Sequence, residues 1–119
     1  MIEPKLTVSD GTVSPCIEID KRHIDAIARE YWAAKEKHPK FCSAIIDTAS
    51  SKSWAESEYR IKLRNERGPW TADNIMMEEI AEAFAAYEHG DKEHALHELA
   101  QCGAVILRIM EKIEKEIEK

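Results

Sequence analysis

Four glutamates in the second half of the chain have a type and spacing suited to binding a cation. Glu78, Glu79 and Glu82 lie in the stretch NIMMEEIAEAF, and Glu98 lies in HELAQ, with Gln101 three residues later. Clustered carboxylates that are half buried repel one another and lose hydration unless a cation compensates them. Carboxylate oxygens without thiolate ligands suit a hard ion, so Mg2+, with Mn2+ as a substitute, is the predicted cofactor.

Helical geometry decides which of these acids face inward. With about 100° of rotation per residue, Glu79 lies among apolar side chains that include Ile75, Met76 and Ala83. Glu82 falls at the border of this apolar face and Glu78 lies further toward solvent. In the next helical stretch, Glu98 falls at the shoulder of an apolar face, with Gln101 just outside it. Two antiparallel helices are therefore predicted to place Glu79 and Glu82 opposite Glu98 and Gln101.

The alternative without a metal is that these glutamates are solvated or pair with lysines, as most helical glutamates at this spacing do. The third helical stretch contains no lysine of its own, and Lys92 is the first one that follows it. This lack of a partner favours the metal site. Because Mg2+ usually keeps several waters and completes its octahedron with substrate phosphates, such a site predicts a phosphate-bearing ligand.

Composition limits the class of protein. The chain has 119 residues, 44% of them hydrophobic and 34% charged, with only four Gly and four Pro, which is typical of one helix-rich globular domain. A net charge of −6 argues against a nucleic-acid backbone as main partner, because few counterions would be displaced. No apolar run approaches the roughly 18 residues of a membrane span. Three cysteines without a C-x-x-C pair indicate reduced thiols and a cytoplasmic location.

The predicted fold is all-α, an oligomeric antiparallel bundle of about four helices over residues 20–119. Residues 1–19 alternate apolar and polar types around Asp10-Gly11, which predicts a short extended or hairpin arm, with a flexible tail as the alternative. The first helix is predicted to begin after Asp20 and to end at His38-Pro39. The others are predicted over about 51–67, from Thr71 to His89, and over about 92–117. The connection at 39–50 is expected to pack Phe41, Ile45 and Ile46 beneath the domain.

The stretch MEEIAEAFAAYEHGDKEHALHELAQCGAVILRIME resembles the MazG-like branch of the all-α nucleoside triphosphate pyrophosphohydrolases. The pattern of that family is E-x-x-E on one helix, a short turn, and E-x-x-D on the next. Glu79 and Glu82 match the first pair, Glu98 matches the first acid of the second pair, and Gln101 stands where the aspartate is expected. Glutamine can coordinate through its carbonyl oxygen but carries no charge.

The resemblance implies Mg2+-dependent hydrolysis of a nucleoside triphosphate to the monophosphate and pyrophosphate. It implies catalytic roles for Glu79, Glu82 and Glu98, which would bind the metal together with Gln101, and Glu78 is a further candidate ligand. It also implies a homodimer or a dimer-based homotetramer. Two other functions stay open: a catalytically weak nucleotide-binding or regulatory relative, which Gln101 favours, and a helical oligomerisation module in which the glutamates are solvated.

Candidate substrate-binding residues lie upstream of the acids. Lys40 and Arg64 are predicted to contact phosphate, and Phe41 and Trp54 to stack on a base. Arg64 belongs to a basic stretch, residues 60–67, for which a solvated helix face is the alternative.

Overall fold

The computed structural model describes residues 19–50 and 52–118, and this part of the chain is all α-helical, with no strand. The helices are α1 (Lys21–Lys37), α2 (Trp54–Glu66), α3 (Ala72–Glu88) and α4 (Lys92–Ile117). The predicted all-α class and the number of helices are confirmed. The predicted N-terminal arm lies outside the described residues, apart from Ile19. None of these helices combines the length and apolar character needed to cross a membrane.

Capping side chains determine where the helices begin. The Asp20 carboxylate accepts a hydrogen bond from the Arg22 backbone N–H at the start of α1, as predicted. Asp91 accepts from the His94 N–H at the start of α4. Ser53 accepts from the Glu56 N–H, so α2 begins later than the predicted position 51. Between α3 and α4, Gly90 has a φ of 87°, a backbone conformation that favours glycine and lets the chain reverse.

The central helix is α3, which packs against α2 on one side and α4 on the other. The α2–α3 pair is antiparallel. At one end of this pair the Glu88 carboxylate accepts from the Trp54 backbone N–H at 3.1 Å. At the other end the Asn65 side chain donates to the Asn74 carbonyl at 3.1 Å. The short turn at Gly90 makes α3 and α4 antiparallel as well.

Small side chains form the buried part of this assembly. The buried apolar residues among those described are Ala81, Ala83, Ala85, Ala86, Ala95 and Cys102. No large side chain in the described part of the chain is fully buried. Because alanine projects so little from the helix surface, α3 and α4 can approach closely, which brings longer side chains on the same faces within reach of one another.

The connection between α1 and α2 differs from the prediction. Phe41 is 85% exposed and Ile45 is half exposed, so the expectation that Phe41 packs beneath the domain is wrong. No helix or strand holds residues 39–50 against the rest of the domain. Ile45 and Ile46 instead border a cavity of about 420 Å³, which Trp54 and Phe84 also line.

The first helix packs against α4 alone among the described helices. Arg22 lies 3.6 Å from Glu114 near the end of α4. The apolar residues Ile27, Tyr31 and Trp32 remain largely exposed, so α1 adds little to the core of the single chain.

Candidate metal centre

Three carboxylates meet where α3 faces α4. One oxygen from each of Glu79, Glu82 and Glu98 lies within 4.8 Å of the others, and we call these residues the carboxylate cluster. Glu98 is buried, with 5% of its surface exposed, and the other two are half buried. The structure therefore brings together the three acids that the sequence places on facing helices. It adds that the α4 member is the most deeply buried.

Gln101 also reaches the carboxylate cluster. The amide atom of Gln101 that faces the cluster lies 2.9 Å from Glu79 Oε2 and 2.6 Å from Glu98 Oε2. With its nitrogen turned toward the cluster, Gln101 donates a hydrogen bond to each carboxylate. With its oxygen there, three oxygens would repel one another unless a cation lay between them. The amide is therefore a hydrogen-bond donor to the cluster when its nitrogen faces it and a neutral ligand for a cation when its oxygen does.

A histidine completes the surroundings of Glu98. His94 Nε2 lies 3.0 Å from Glu98 Oε1, one helical turn away, and His94 Nδ1 lies 3.9 Å from the carboxylate of Asp91. His94 carries no predicted role, although the i, i+4 spacing is the signal that could have identified it. Glu98 consequently has His94 at one oxygen and Gln101 at the other.

Lys62 of α2 approaches the carboxylate cluster from the other side of α3. Its Nζ lies 2.9 Å from Glu58 Oε2 and 3.8 Å from Glu82 Oε1. The expectation that these acids have no lysine partner is therefore wrong, because it considered only neighbours along the chain. The hydrogen bond with Glu58 raises the pKa of the Lys62 ammonium and keeps it charged.

Burial and mutual repulsion change the acidity of the carboxylate cluster. Burial, a hydrogen bond with Glu98 and the Glu98 charge raise the pKa of Glu82 to about 7. Burial and the same charge raise the pKa of Glu79. For Glu98, burial acts in the opposite direction but is outweighed by hydrogen bonds from Glu82, His94 and Glu79, so its pKa is lowered. Below about pH 7, and without a cation, Glu82 therefore holds a proton that it donates to Glu98.

Glu78, the further candidate ligand, points elsewhere. Its Oε1 accepts a hydrogen bond of 2.9 Å from the side-chain amide of Asn65, a buried residue near the end of α2. The structure does not bring Glu78 into the carboxylate cluster, because this bond directs its carboxylate toward α2. Asn65 was not predicted, and its role could not be read from the sequence without knowing which face of α2 meets α3.

The candidate substrate-binding residues are dispersed. The ring of Trp54 packs on Phe84 with centroids 4.9 Å apart, on the side of α3 opposite Glu79. Arg64 lies near Asp73 at the start of α3 and attracts its carboxylate. Lys40 and Phe41 lie in the exposed connection and make no hydrogen bond or ion pair with the carboxylate cluster. The structure thus gathers none of these four residues at the cluster.

The donor set fits the predicted cofactor. Three carboxylates and an amide offer oxygen ligands, which Mg2+ and Mn2+ prefer. Cys102 is buried nearby, but burial and the charges of Glu79 and Glu98 raise the pKa of its thiol. A neutral thiol is a poor ligand for a hard ion. The site is therefore suited to a hard divalent cation.

Comparisons of the chain with models of protein families, with curated proteins and with solved structures found no match.

Proposed function

We propose that this protein is a Mg2+-dependent nucleoside triphosphate pyrophosphohydrolase. The observation that carries the proposal is the carboxylate cluster, in which Glu79, Glu82 and Glu98 converge within 4.8 Å from two antiparallel helices. Glu98 is buried and the other two acids are half buried, so their mutual repulsion needs compensation, which a cation would supply. The E-x-x-E and E-x-x-Q spacing of these residues, and its resemblance to the MazG-like pattern, supports hydrolysis of a nucleotide rather than cation storage.

In this proposal the carboxylate cluster and the Gln101 oxygen would hold the metal. A bound Mg2+ would neutralise phosphate charge and make a coordinated water more acidic. The residues of the chain supply positioning and proton transfer. His94 holds the buried Glu98 in place. A carboxylate of the cluster would accept a proton from the water that attacks the α-phosphorus, and the α–β phosphoanhydride bond would break to release pyrophosphate. Lys62, at the edge of the cluster, adds a positive charge that attracts the triphosphate.

A cytoplasmic location belongs to the same proposal. The two cysteines of the described residues, Cys42 and Cys102, are free thiols, and free thiols are typical of proteins in a reducing compartment. Nucleoside triphosphates and Mg2+ would both be available to the protein there.

The test is pyrophosphate release from a panel of ribo- and deoxyribonucleoside triphosphates with Mg2+ or Mn2+. Glu79→Gln and Glu98→Gln should each abolish release, because each removes a charged ligand while keeping the side-chain shape. Glu116→Gln is the matched control, since it changes the same residue type on an exposed turn of α4 away from the cluster. Activity that survives in both cluster variants, or that needs no divalent cation, would contradict the proposal.

The second candidate is a nucleotide-binding protein with little turnover. Gln101 favours it, because the neutral amide leaves the site one negative charge short of the family pattern. Stabilisation by nucleotide and Mg2+ together, seen as a raised melting temperature without pyrophosphate release, would support this candidate. No stabilisation and no release would point to the helical oligomerisation module instead.

A further inference from the structure

A groove follows the interface between α3 and α4 beyond the carboxylate cluster, and we call it the Trp70 groove. Its apolar floor consists of Ile75 of α3 and Val105 and Ile109 of α4. Ile75 lies one helical turn before Glu79, so the groove begins close to the cluster. Its volume of about 510 Å³ is within the range of small-molecule binding sites. No residue of the carboxylate cluster lines it, so it is a separate surface.

Three cations follow one side of α4 along this groove. Arg108, Lys112 and Lys115 are spaced four and three residues apart, which places them on the same side of the helix over about 10 Å. All three are exposed, and within the described part of the chain none of their side chains forms an ion pair or a hydrogen bond. Arg22 and Lys62, by contrast, each pair with a nearby acid. The cations of the groove are therefore available to an anion from outside the chain.

The charge of the groove is opposite to that of the whole chain. The chain has a net charge of −6. The described residues that line the groove include three cations but only one acid, Glu111. The carboxylate cluster lies further along the same helix pair. Acidic and basic groups are thus separated along the interface of α3 and α4, and the groove can attract an anion without a metal ion.

An aromatic ring borders the groove. Trp70 lies in the short connection between α2 and α3 and is 64% exposed. Among the described residues no other aromatic ring packs on it, whereas Trp54 packs on Phe84. An exposed indole ring beside an apolar floor can stack on a planar apolar group.

We infer that the Trp70 groove binds a nucleoside polyphosphate without a metal ion, with the base against Trp70 and the phosphates against Arg108, Lys112 and Lys115. The indole ring and the apolar floor suit a planar base, and the cations suit phosphates. Cations spread over about 10 Å match several phosphate charges better than the single carboxylate of a fatty acid. The inference does not depend on the proposed catalysis, because the groove contains none of the proposed metal ligands.

The first test is calorimetric titration of the full-length chain with ADP in EDTA. We expect saturable binding that weakens as the salt concentration rises. Arg108→Gln should raise the ADP dissociation constant about tenfold. Arg29→Gln is the matched control, because Arg29 is an exposed arginine of α1, and it should not change this constant.

Two results of this titration would overturn the inference, whatever the pyrophosphate-release assay shows. The first is that ADP does not bind in EDTA. The second is that Glu79→Gln weakens ADP binding as much as Arg108→Gln does, which would place the nucleotide at the carboxylate cluster.

Trp70→Leu tests the position of the base. It should weaken ADP binding at least about fivefold, because a stacked base is lost. It should not change the binding of tripolyphosphate, which has no base. Trp32→Leu is the matched control, because Trp32 is an exposed tryptophan on α1, and circular dichroism would show that the helices are retained. Equal losses for both probes, or no loss for either, would refute stacking on Trp70, and decanoate binding more tightly than ADP would refute a nucleotide as the occupant.

Discussion

His94 and Glu98 lie one turn apart on α4 and are joined by a contact of 3.0 Å between Nε2 and Oε1. The histidine is itself close to Asp91, whose carboxylate caps the same helix. Glu98 is buried, so its orientation is set by these neighbours rather than by water. The local sequence of α4 therefore orients the most deeply buried acid of the carboxylate cluster before any ligand arrives.

Replacing His94 should weaken metal binding without removing a ligand. In His94→Ala, Glu98 loses the group that orients Oε1. Replacing a residue that orients a metal ligand typically lowers metal affinity about 10- to 100-fold. We therefore expect the Mg2+ dissociation constant to rise by about tenfold or more, as measured by calorimetric titration. His38→Ala is the control, because His38 is an exposed histidine at the end of α1, a helix that does not pack on α3. Equal affinities in wild type and His94→Ala would contradict a supporting role for His94.

Metal-free stability should fall as pH rises through the range in which Glu82 titrates. The pKa of Glu82 is about 7 in the folded chain against 4.5 as its ordinary value. Between these pH values the folded chain keeps a proton that the unfolded chain has released. The free energy of unfolding should therefore decrease from pH 4.5 to 7, by at most about 3 kcal/mol, and level off above. Glu79, whose pKa is also raised, acts in the same direction, while Glu98 partly opposes it.

Urea denaturation in EDTA at pH 5 and pH 8 would measure this effect. Glu82→Gln cannot ionise, so it should show a smaller loss of stability between the two pH values than the wild type shows. Glu116→Gln should keep the wild-type dependence. Added Mg2+ should restore the wild type at pH 8 but have little effect on Glu82→Gln. A wild-type stability that rises over this range would contradict the assigned role of Glu82.

Placing an acid at position 101, where the MazG-like pattern has an aspartate, should destabilise the metal-free chain but strengthen Mg2+ binding. Gln101→Glu adds a carboxylate beside Glu79 and Glu98, at the point where the amide now lies 2.9 and 2.6 Å from them. Without a cation the added repulsion should lower the melting temperature. With Mg2+ the extra charge should tighten binding several-fold. Gln101→Met, which keeps the length but offers no oxygen ligand, should weaken binding. Calorimetry on both variants would show whether the position contacts the ion.

Lys62 should have opposite effects on the affinity for the metal and on the affinity for the nucleotide. Its ammonium lies 3.8 Å from Glu82 Oε1, so it repels a cation and attracts a triphosphate. In Lys62→Met, the Mg2+ dissociation constant should decrease and the KM for the nucleotide should increase, each by a few-fold because the side chain is half exposed. Arg60→Met, which removes a distant pair with Glu56, is the control. Parallel changes in both constants would show that the substitution acts through the fold instead.

Local signals allowed most of the helices and the core of the site to be predicted. Asp20, Gly90 and Asp91 mark helix ends through bonds and backbone angles that involve only near neighbours. The helical spacing of Glu79 and Glu82, followed by a short turn, was enough to place them opposite Glu98. Each of these predictions depends on interactions within one helix or across one tight turn.

The contributions of α2 and of the loop before it could not be predicted in the same way. Lys62 and Asn65 reach the acids only because one face of α2 packs on α3. The apolar and polar residues of α2 are not separated into two clear faces, so the sequence does not show which face packs. Phe41 looked like a core residue because of its type, yet the segment around it has no regular structure to hold it inward. Contacts between segments distant in sequence are set by the whole packing arrangement.

In the proposed metal site, the alanines between α3 and α4 should affect which ion is preferred. Ala83 and Ala86 are buried on the same side of α3 as Glu79, and Ala95 is buried on α4. The separation of the two helices fixes how far the carboxylates reach toward one another, and so which ionic radius they enclose. Mg2+ needs oxygens at about 2.0–2.1 Å, whereas Ca2+ accepts about 2.3–2.6 Å. A larger side chain at Ala83 would widen this gap and shift the preference from the smaller ion toward the larger, without altering a single ligand.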